Sequence, residues 1–389
     1  MLGLVSLFTD AASEAVYPLL PVLLQSLGAS ALTLGVIEGS AEAVASLMKV
    51  WSGRMSDRWS RRQPIILAGY SLSSCVRPLL ALAAAPWHIF AVRFVDRVGK
   101  GVRGAPRDAM LAANAAPEQR GRVFGFHRAM DHMGAVIGPL AAFGVLYVWP
   151  GHERTLMAWT LVPGLLVVWL LVRLPEATGL GSAAAAPMAP SAPLAPPASV
   201  ALPRPFVRLM VALGVFALGN SSDMFLLLYL GQSGIAPLWL PLLWAAHHGV
   251  KVGAALVGGA LTDRLGRRLL IGAGWSVYAA IYISFALSSS PTTLVTLFLI
   301  YALYHGLADG AEKALIADLV PAPRRATAYG VYGAMQGVGA LAASVLFGAI
   351  WTYVSPAAAF ATGAGLAGAA AILLGTLHTE MGHSALGQS

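Results

Sequence analysis

Six ionisable residues lie in one apolar stretch of the chain and recur at the spacing of a helix face. They are Arg93, Asp96, Arg97, Lys100, Arg103 and Arg107, and at about 100° per residue they form one stripe. An ionisable group at bilayer depth is costly unless it faces a polar interior. The stripe therefore predicts a water-accessible cavity or pathway, and hence the movement of a solute across a membrane.

Acidic residues in neighbouring apolar segments are candidates for proton coupling. They are Asp10 and Glu14 in the first segment, Glu38 and Glu42 in the second, and Asp131, which shares a helix face with His127, in the fifth. A carboxylate in a cavity of varying hydration can bind and release a proton. The alternative is that these acids pair with nearby basic residues and form an electrostatic scaffold.

The composition is that of a polytopic membrane protein. Hydrophobic residues make up 57% of the chain and charged residues 11%, and the mean hydropathy is +0.71. Apolar stretches of about 20 residues can cross a hydrocarbon core of roughly 30 Å as helices. Twelve are predicted, at 3–27, 32–53, 64–84, 87–111, 122–148, 155–173, 206–230, 237–261, 269–288, 291–317, 326–350 and 357–377.

Basic residues in the loops predict the orientation. The loops that follow even-numbered spans carry Arg58, Arg61, Arg62, Arg120, Arg122, Arg173, Arg204, Arg208, Arg264, Arg267, Arg268, Arg324 and Arg325, whereas the other loops offer Arg154. By the positive-inside rule, the even loops and both termini are expected on the cytoplasmic side of a bacterial-type inner membrane. The net charge of +8 then reflects topology, and nucleic acid is not an expected partner.

The spans divide six and six. An Ala/Pro-rich stretch with almost no charge runs from 175 to 203 and is expected to be a flexible cytoplasmic linker. It separates a first bundle at 1–174 from a second bundle at 204–378, which a cytoplasmic tail at 379–389 follows. FGFHRAMDHMGA from Phe124 matches YGVYGAMQGVGA from Tyr329, 205 positions later, and the same register aligns Arg107 with Glu312. Six helices per half predict parallel repeats about an axis along the membrane normal.

Two loops carry one signature. GRMSDRWSRR begins at Gly53, after the second span, and GALTDRLGRR begins at Gly259, after the eighth. Both resemble the G-x-x-x-D-R-x-G-R-R signature of the major facilitator superfamily, although Ser60 replaces a glycine in the first copy. The resemblance covers nearly the whole chain and implies an all-α fold of two pseudo-symmetric six-helix bundles. The positive-inside rule by itself would explain the arginines of these loops, but it would not explain the repeated glycine and aspartate. The expected conformational latch consists of Gly53, Asp57, Arg58, Gly259, Asp263 and Arg264.

Further motifs resemble branches of this superfamily. Gly125, Gly134 and Gly138-Pro139 resemble the glycine and proline signature of its proton-coupled exporters, although Ala142 and Phe143 stand where two glycines are usual. Close helix packing alone could also explain these glycines. Arg97, or Arg93 in another register, loosely fits the superfamily's fourth-helix pattern, whose arginine is linked to proton transfer. The strings EAVYPLLPVLL, DRVGKGVRGAPRDA and FGFHRAMDHMGAVIGPL resemble a prokaryotic branch of efflux permeases.

The two halves are expected to line a central substrate cavity unequally. The first half offers a charged face, which consists of Arg93, Asp96, Lys100, Arg103, His127 and Arg128. The second half offers a less charged face with aromatic side chains, which consists of Asn220, Asp223, Tyr301, His305, Asp309 and Tyr332. His127, Asp131 and His132 have a spacing that could suit a metal. The resemblance requires no metal, so neither a metal site nor a cofactor is expected.

The expected function is secondary active transport. The leading hypothesis is a monomeric proton-coupled antiporter that exports a small organic molecule by alternating access, with protons, substrate and lipid as its partners. The alternative is a proton-coupled importer or facilitator of a polar or anionic metabolite. An integral-membrane enzyme is a remote alternative, because the sequence has no nucleophile elbow, phosphate loop or convincing metal cluster.

Overall fold

The computed structural model describes residues 1–58, 62–113, 120–173, 203–321 and 325–386. Within these ranges the chain forms twelve long helical segments and no strand. They are α1 (Leu2–Ser26), α2 (Ala31–Arg58), α3 (Gln63–Leu82), α4 (Pro86–Ala113), α5 (Arg120–Val148), α6 (Glu153–Val172), α7 (Arg204–Gln232), α8 (Trp239–Leu265), α9 (Arg267–Leu287), α10 (Pro291–Leu319), α11 (Arg325–Tyr353) and α12 (Pro356–Leu386).

Each predicted span falls on one of these segments, which confirms the all-helical fold. Ten are long and apolar enough to cross a membrane. The other two are α4, with its charged stripe, and α8, which contains His247, His248 and Lys251. The last helix is longer than the predicted span at 357–377. It continues to Leu386 and so includes most of the segment at 379–389 that was predicted as a tail.

Two helices are interrupted at corresponding positions of the halves. In α1 the helix tightens to a 3-10 turn at Tyr17–Leu19, where Pro18 and Pro21 cannot donate backbone hydrogen bonds. In α7 the regular helix stops at Gly219 and resumes at Met224. Tyr17 and Ser222 are 205 positions apart, the offset of the sequence repeat, and the Tyr17 hydroxyl lies 3.3 Å from the Ser222 Oγ.

Helix contacts repeat from half to half. In the first half α1 packs on α5 and α6, α2 on α4, and α3 on α4 and α6. In the second half α7 packs on α11 and α12, α8 on α10, and α9 on α10 and α12. The halves meet where α2 packs on α11 and α5 packs on α8. Adding six to each helix number reproduces the pattern, as expected for parallel repeats.

The halves are closed at the end of the bundle opposite the chain termini. A Cβ added to Gly35 of α2 would lie 2.1 Å from the Ser344 carbonyl oxygen of α11, and Leu32 N donates to Thr352 Oγ1 at 3.0 Å. Gly330 and Gly333 of α11 lie toward the other end and have open space where a Cβ would stand. The two halves therefore separate toward the end that carries the termini.

Candidate functional site

The first two charged residues of the stripe, Arg93 and Asp96, form ion pairs with residues of neighbouring helices. Arg93 donates two 2.8 Å hydrogen bonds to the carboxylate of Glu38, and Arg77 donates one of 2.9 Å to Asp96. All four side chains are buried, and Arg93 also lies 4.0 Å from Asp96. A buried ion pair with this geometry satisfies both charges and holds α2, α3 and α4 together. The scaffold alternative describes Glu38, Arg93 and Asp96 best.

The next turns of α4 are less completely paired. Arg97 is buried and lies 3.3 Å from Glu42, whose side chain is 46% exposed. The Arg97 Nε and the Arg103 Nη1 have no hydrogen-bond partner among the described residues. Arg103 stacks 4.3 Å from the ring centroid of Tyr70, and Lys100 is exposed. This part of the stripe therefore combines two buried guanidinium groups that keep unpaired donors with an exposed ammonium group.

Two acids meet where α1 crosses α5. Ser6 donates a hydrogen bond to Asp131, and the Nε2 of His127 lies 3.7 Å from the same carboxylate. Asp10 interacts electrostatically with Asp131 and with the basic groups of Lys100 and Arg103. The structure thus brings together predicted coupling residues from α1 and α5. Arg128, which was predicted to line the cavity, is exposed.

The close approach of these helices explains part of the glycine signature. A Cβ on Gly138 would lie 2.1 Å from the Ala11 carbonyl oxygen, and one on Gly134 would lie 2.5 Å from the Leu7 carbonyl oxygen. Pro139 is buried inside α5. The surroundings of Gly125 lie outside the described residues. Packing against α1 therefore accounts for two of the three glycines.

Glu14 connects the two halves. The Trp244 Nε1 of α8 donates a 2.8 Å hydrogen bond to the Glu14 carboxylate of α1, and the His248 Nε2 lies 3.9 Å from the same carboxylate. The ring of Tyr17 packs against Trp244 in a tilted arrangement, with centroids 5.0 Å apart. Neither Trp244 nor His248 was predicted from the sequence, and an adjacent histidine pair in an apolar segment was the available signal.

The second half holds a polar cluster around the break in α7. The Tyr301 hydroxyl donates a 2.6 Å hydrogen bond to Asp223, and the His305 Nε2 lies 4.0 Å from the same carboxylate. The His305 Nδ1 lies 3.5 Å from Asp309, and Asn220 donates a 3.2 Å hydrogen bond to Tyr304. His247, which was not predicted as a site residue, lies beside Asp223 and His305, and one potential ligand atom of each of the three is within 4.8 Å of the other two.

Tyr332 takes part in a separate cluster. Its hydroxyl donates to the buried carboxylate of Glu312 at 2.9 Å, and the Trp275 Nε1 donates to the same carboxylate at 3.1 Å. Gln336 in turn donates to Tyr332 at 3.0 Å. The sequence repeat aligns Glu312 with Arg107, but Glu312 was not among the predicted site residues. A buried acid opposite a base in a repeat was the available signal.

The loops with the repeated signature contact the ends of α4 and α10 alike. Arg62 donates to the Ala109 carbonyl at 3.2 Å, and Arg267 donates to the Ala314 carbonyl at 2.9 Å and forms an ion pair with Asp318. A basic side chain near a helix C-terminus is favourable because it faces the negative end of the helix dipole. These contacts tie α3 to α4 and α9 to α10.

The predicted latch is only partly described. The side chains of Asp57, Arg58 and Asp263 lie outside the described residues. Arg264 is exposed, Gly259 has open space beside it, and a Cβ on Gly53 would be in ordinary contact with Ala105 at 3.4 Å. The latch therefore stays a prediction.

Comparisons with known proteins agree with this architecture. An uncharacterized protein of Mycobacterium tuberculosis is 32% identical over 362 residues, which cover 90% of this chain and 85% of the relative. An uncharacterized MFS-type transporter of Methanocaldococcus jannaschii is 28% identical over 385 residues, 96% of this chain and 93% of the relative. The multidrug resistance protein MdtH of Photorhabdus laumondii is 28% identical over 146 residues, 37% of this chain and 35% of MdtH.

A solved structure and the family profile complete the comparison. The crystal structure of a mutant of the peptide transporter POT, in complex with alafosfalin, superimposes with a TM-score of 0.78 at 15% identity, covering 98% of this chain and 94% of that one. The sequence profile of the Major Facilitator Superfamily matches residues 2–250 and 245–384. The chain therefore belongs to the Major Facilitator Superfamily, whose members are membrane transporters of small molecules.

Proposed function

We propose that this transporter is a proton-coupled antiporter that exports a small organic molecule by alternating access. The observation that carries the proposal is the contact between Glu14 and Trp244, because it joins an acid of the first half to a donor of the second. Rocking of the halves must break or rebuild this contact. Protonation of Glu14 removes its charge and weakens the hydrogen bond, so proton binding and conformation are linked.

The acids near Glu14 extend the proton pathway. Asp10 and Asp131 interact electrostatically beside Lys100 and Arg103, and a carboxylate next to a second carboxylate binds a proton more readily than one held in an ion pair. Glu42 meets Arg97 at the more exposed part of the stripe. Glu38, in contrast, is locked by Arg93 and serves as scaffold.

The proposed direction is outward, and it follows from orientation and likeness. By the positive-inside rule, the basic loops favour a cytoplasmic location for both termini and the 175–203 linker. With that orientation, the end at which the halves separate faces the cytoplasm and can receive cytoplasmic cargo. The glycine signature of α5 resembles that of exporters, and MdtH, with a partial match, is named for multidrug resistance. The two bundles, 1–174 and 204–378, rock about the interface of α2 with α11 and α5 with α8.

Everted membrane vesicles test coupling and direction together. Ethidium serves as a fluorescent amphiphilic cation, and an acidic vesicle lumen should drive its accumulation if the protein is an exporting antiporter. Glu14→Gln should lose most of this accumulation, whereas Glu153→Gln, at the start of α6, is the matched control and should retain it. Gradient-driven release of preloaded probe into the medium would instead indicate import by symport. Equal accumulation in Glu14→Gln and wild type would contradict the coupling role.

A further inference from the structure

Three side chains from three helices of the second half converge on one point. Asp223 lies at the break of α7, His247 on α8 and His305 on α10, and their potential ligand atoms lie within 4.8 Å of one another. We infer that these residues, the Asp223 triad, bind a divalent transition-metal ion such as Zn²⁺, either as the free ion or in a complex with a small organic chelator. Two imidazoles and one carboxylate suit such ions, whereas Mg²⁺ and Ca²⁺ prefer oxygen ligands alone.

The two histidines are oriented as metal ligands are. The Nδ1 of His247 lies 3.2 Å from the Phe298 carbonyl oxygen, and the Nδ1 of His305 lies 3.5 Å from Asp309. Both neighbours are acceptors, so they favour a proton on Nδ1 and leave the lone pair on Nε2 for a ligand bond. Both Nε2 atoms are buried and have no hydrogen-bond partner among the described residues.

The carboxylate is oriented in the same manner. Tyr301 donates its hydroxyl to the Oδ1 of Asp223 at 2.6 Å, while the Oδ2 lies 4.0 Å from the His305 Nε2. Each member of the triad thus has an outer partner that fixes it, which is the usual arrangement around bound metals. A hydrogen-bond network alone would leave two buried imidazole nitrogens unsatisfied, which is unfavourable.

The triad lies beside the interface between the halves. His248 follows His247 on α8, and its Nε2 lies 3.9 Å from Glu14 of the first half, while neither of its ring nitrogens has a hydrogen-bond partner among the described residues. A ligand of the proposed ion, His247, is therefore the sequence neighbour of His248, which lies beside Glu14 at the contact between the halves. That the ion is cargo rests on the proposed transport function, whereas its binding does not.

Metal titration of the purified full-length protein in detergent tests the inference. We expect one equivalent of Zn²⁺ to bind and to raise the melting temperature, since a ligand that binds the folded form stabilises it. Co²⁺ should give a visible absorption band on binding, and Mg²⁺ should have no effect. Asp223→Asn, His247→Gln and His305→Gln should each weaken Zn²⁺ binding by about tenfold or more. His152→Ala removes an exposed histidine beside α6 and should bind Zn²⁺ as wild type does.

Two sources of the ion are separated by the form in which it is supplied. Saturation by ZnCl₂ assigns the free ion, and saturation only by zinc citrate assigns a chelate. If neither binds to wild type, or if Asp223→Asn and His305→Gln bind Zn²⁺ with unchanged affinity, the inference is wrong and the triad is a structural network. Wild-type stoichiometry and the contrast with Mg²⁺ decide the matter even where a variant does not fold. No gradient is present, so failure here is distinct from failure of proton coupling.

Discussion

Tyr17 and Ser222 occupy equivalent positions of the two halves, and their side-chain oxygens lie 3.3 Å apart. Equivalent residues of a two-fold repeat touch each other only near its axis. The breaks in α1 and α7 therefore lie on the pseudo-symmetry axis, between the Glu14 contact and the Asp223 triad. Irregular backbone at the middle of a transporter is expected where it lines a cavity.

The first prediction concerns the contact across the halves. Trp244→Phe keeps the aromatic packing on Tyr17 but removes the donor to Glu14. A hydrogen bond to a charged group contributes about 1.5–3 kcal/mol, so the state closed at the end opposite the termini should lose roughly tenfold or more in relative population. Electron spin resonance distances between labels at His152 and Ser290, in a Cys75→Ser background, should lengthen. Unchanged distance distributions would show that the contact does not hold the halves together.

The second prediction concerns the crossing of α1 and α5. Gly138→Ala places a Cβ 2.1 Å from the Ala11 carbonyl oxygen, whereas Gly144→Ala, in the same helix, has nothing within 4 Å. Overpacking of this kind costs about 1–3 kcal/mol. Gly138→Ala should therefore melt at a clearly lower temperature in detergent, and Gly144→Ala should melt as wild type does. Equal melting temperatures for both variants would contradict the close approach.

The third prediction concerns the buried ion pair of Arg93 and Glu38. Arg93→Met leaves the Glu38 carboxylate buried without its partner and should destabilise the protein by about 3–5 kcal/mol. The double variant Arg93→Met with Glu38→Leu removes both charges and should recover a large part of that loss. Thermal melts of the two singles and the double give the coupling energy. If the stability losses of the two single variants simply add in the double variant, the two side chains do not interact and the ion pair is contradicted.

The fourth prediction concerns the latch. Asp57→Asn removes a charge that is expected to stabilise the state closed at the cytoplasmic side. The free-energy difference between the two states should therefore shift by about 1 kcal/mol in favour of the inward-open state. Spin labels at Arg173 and Arg264, at the terminus-bearing end of each half, should report longer distances. Distributions identical to those of wild type would leave the loop with a topological role only.

The fifth prediction concerns orientation. Reporter fusions at Arg62, near Pro193 in the linker and at Arg268 should all report a cytoplasmic location, because basic loops are retained on that side. Fusions at Arg154, at the start of α6 and next to the loop that follows the fifth span, should report the opposite side. A periplasmic signal at any of the first three positions would reverse the topology and the proposed direction of transport.

The sequence by itself determined the twelve helices, the six-plus-six division and the family. Helix length and apolar composition are local properties that a bilayer makes decisive. The sequence also shows two internal repeats directly: the segment from Phe124 recurs at Tyr329, and the loop from Gly53 recurs at Gly259. Such features need no knowledge of which helices touch.

Only the tertiary structure decided which charges are paired. Arg93 and Arg97 lie one turn apart on α4, yet the first is locked by Glu38 and the second meets a half-exposed Glu42. Likewise, His247 became significant because α7, α8 and α10 bring it to Asp223 and His305. Pairing depends on crossing angles and helix depth, and those are set by packing between residues far apart in sequence.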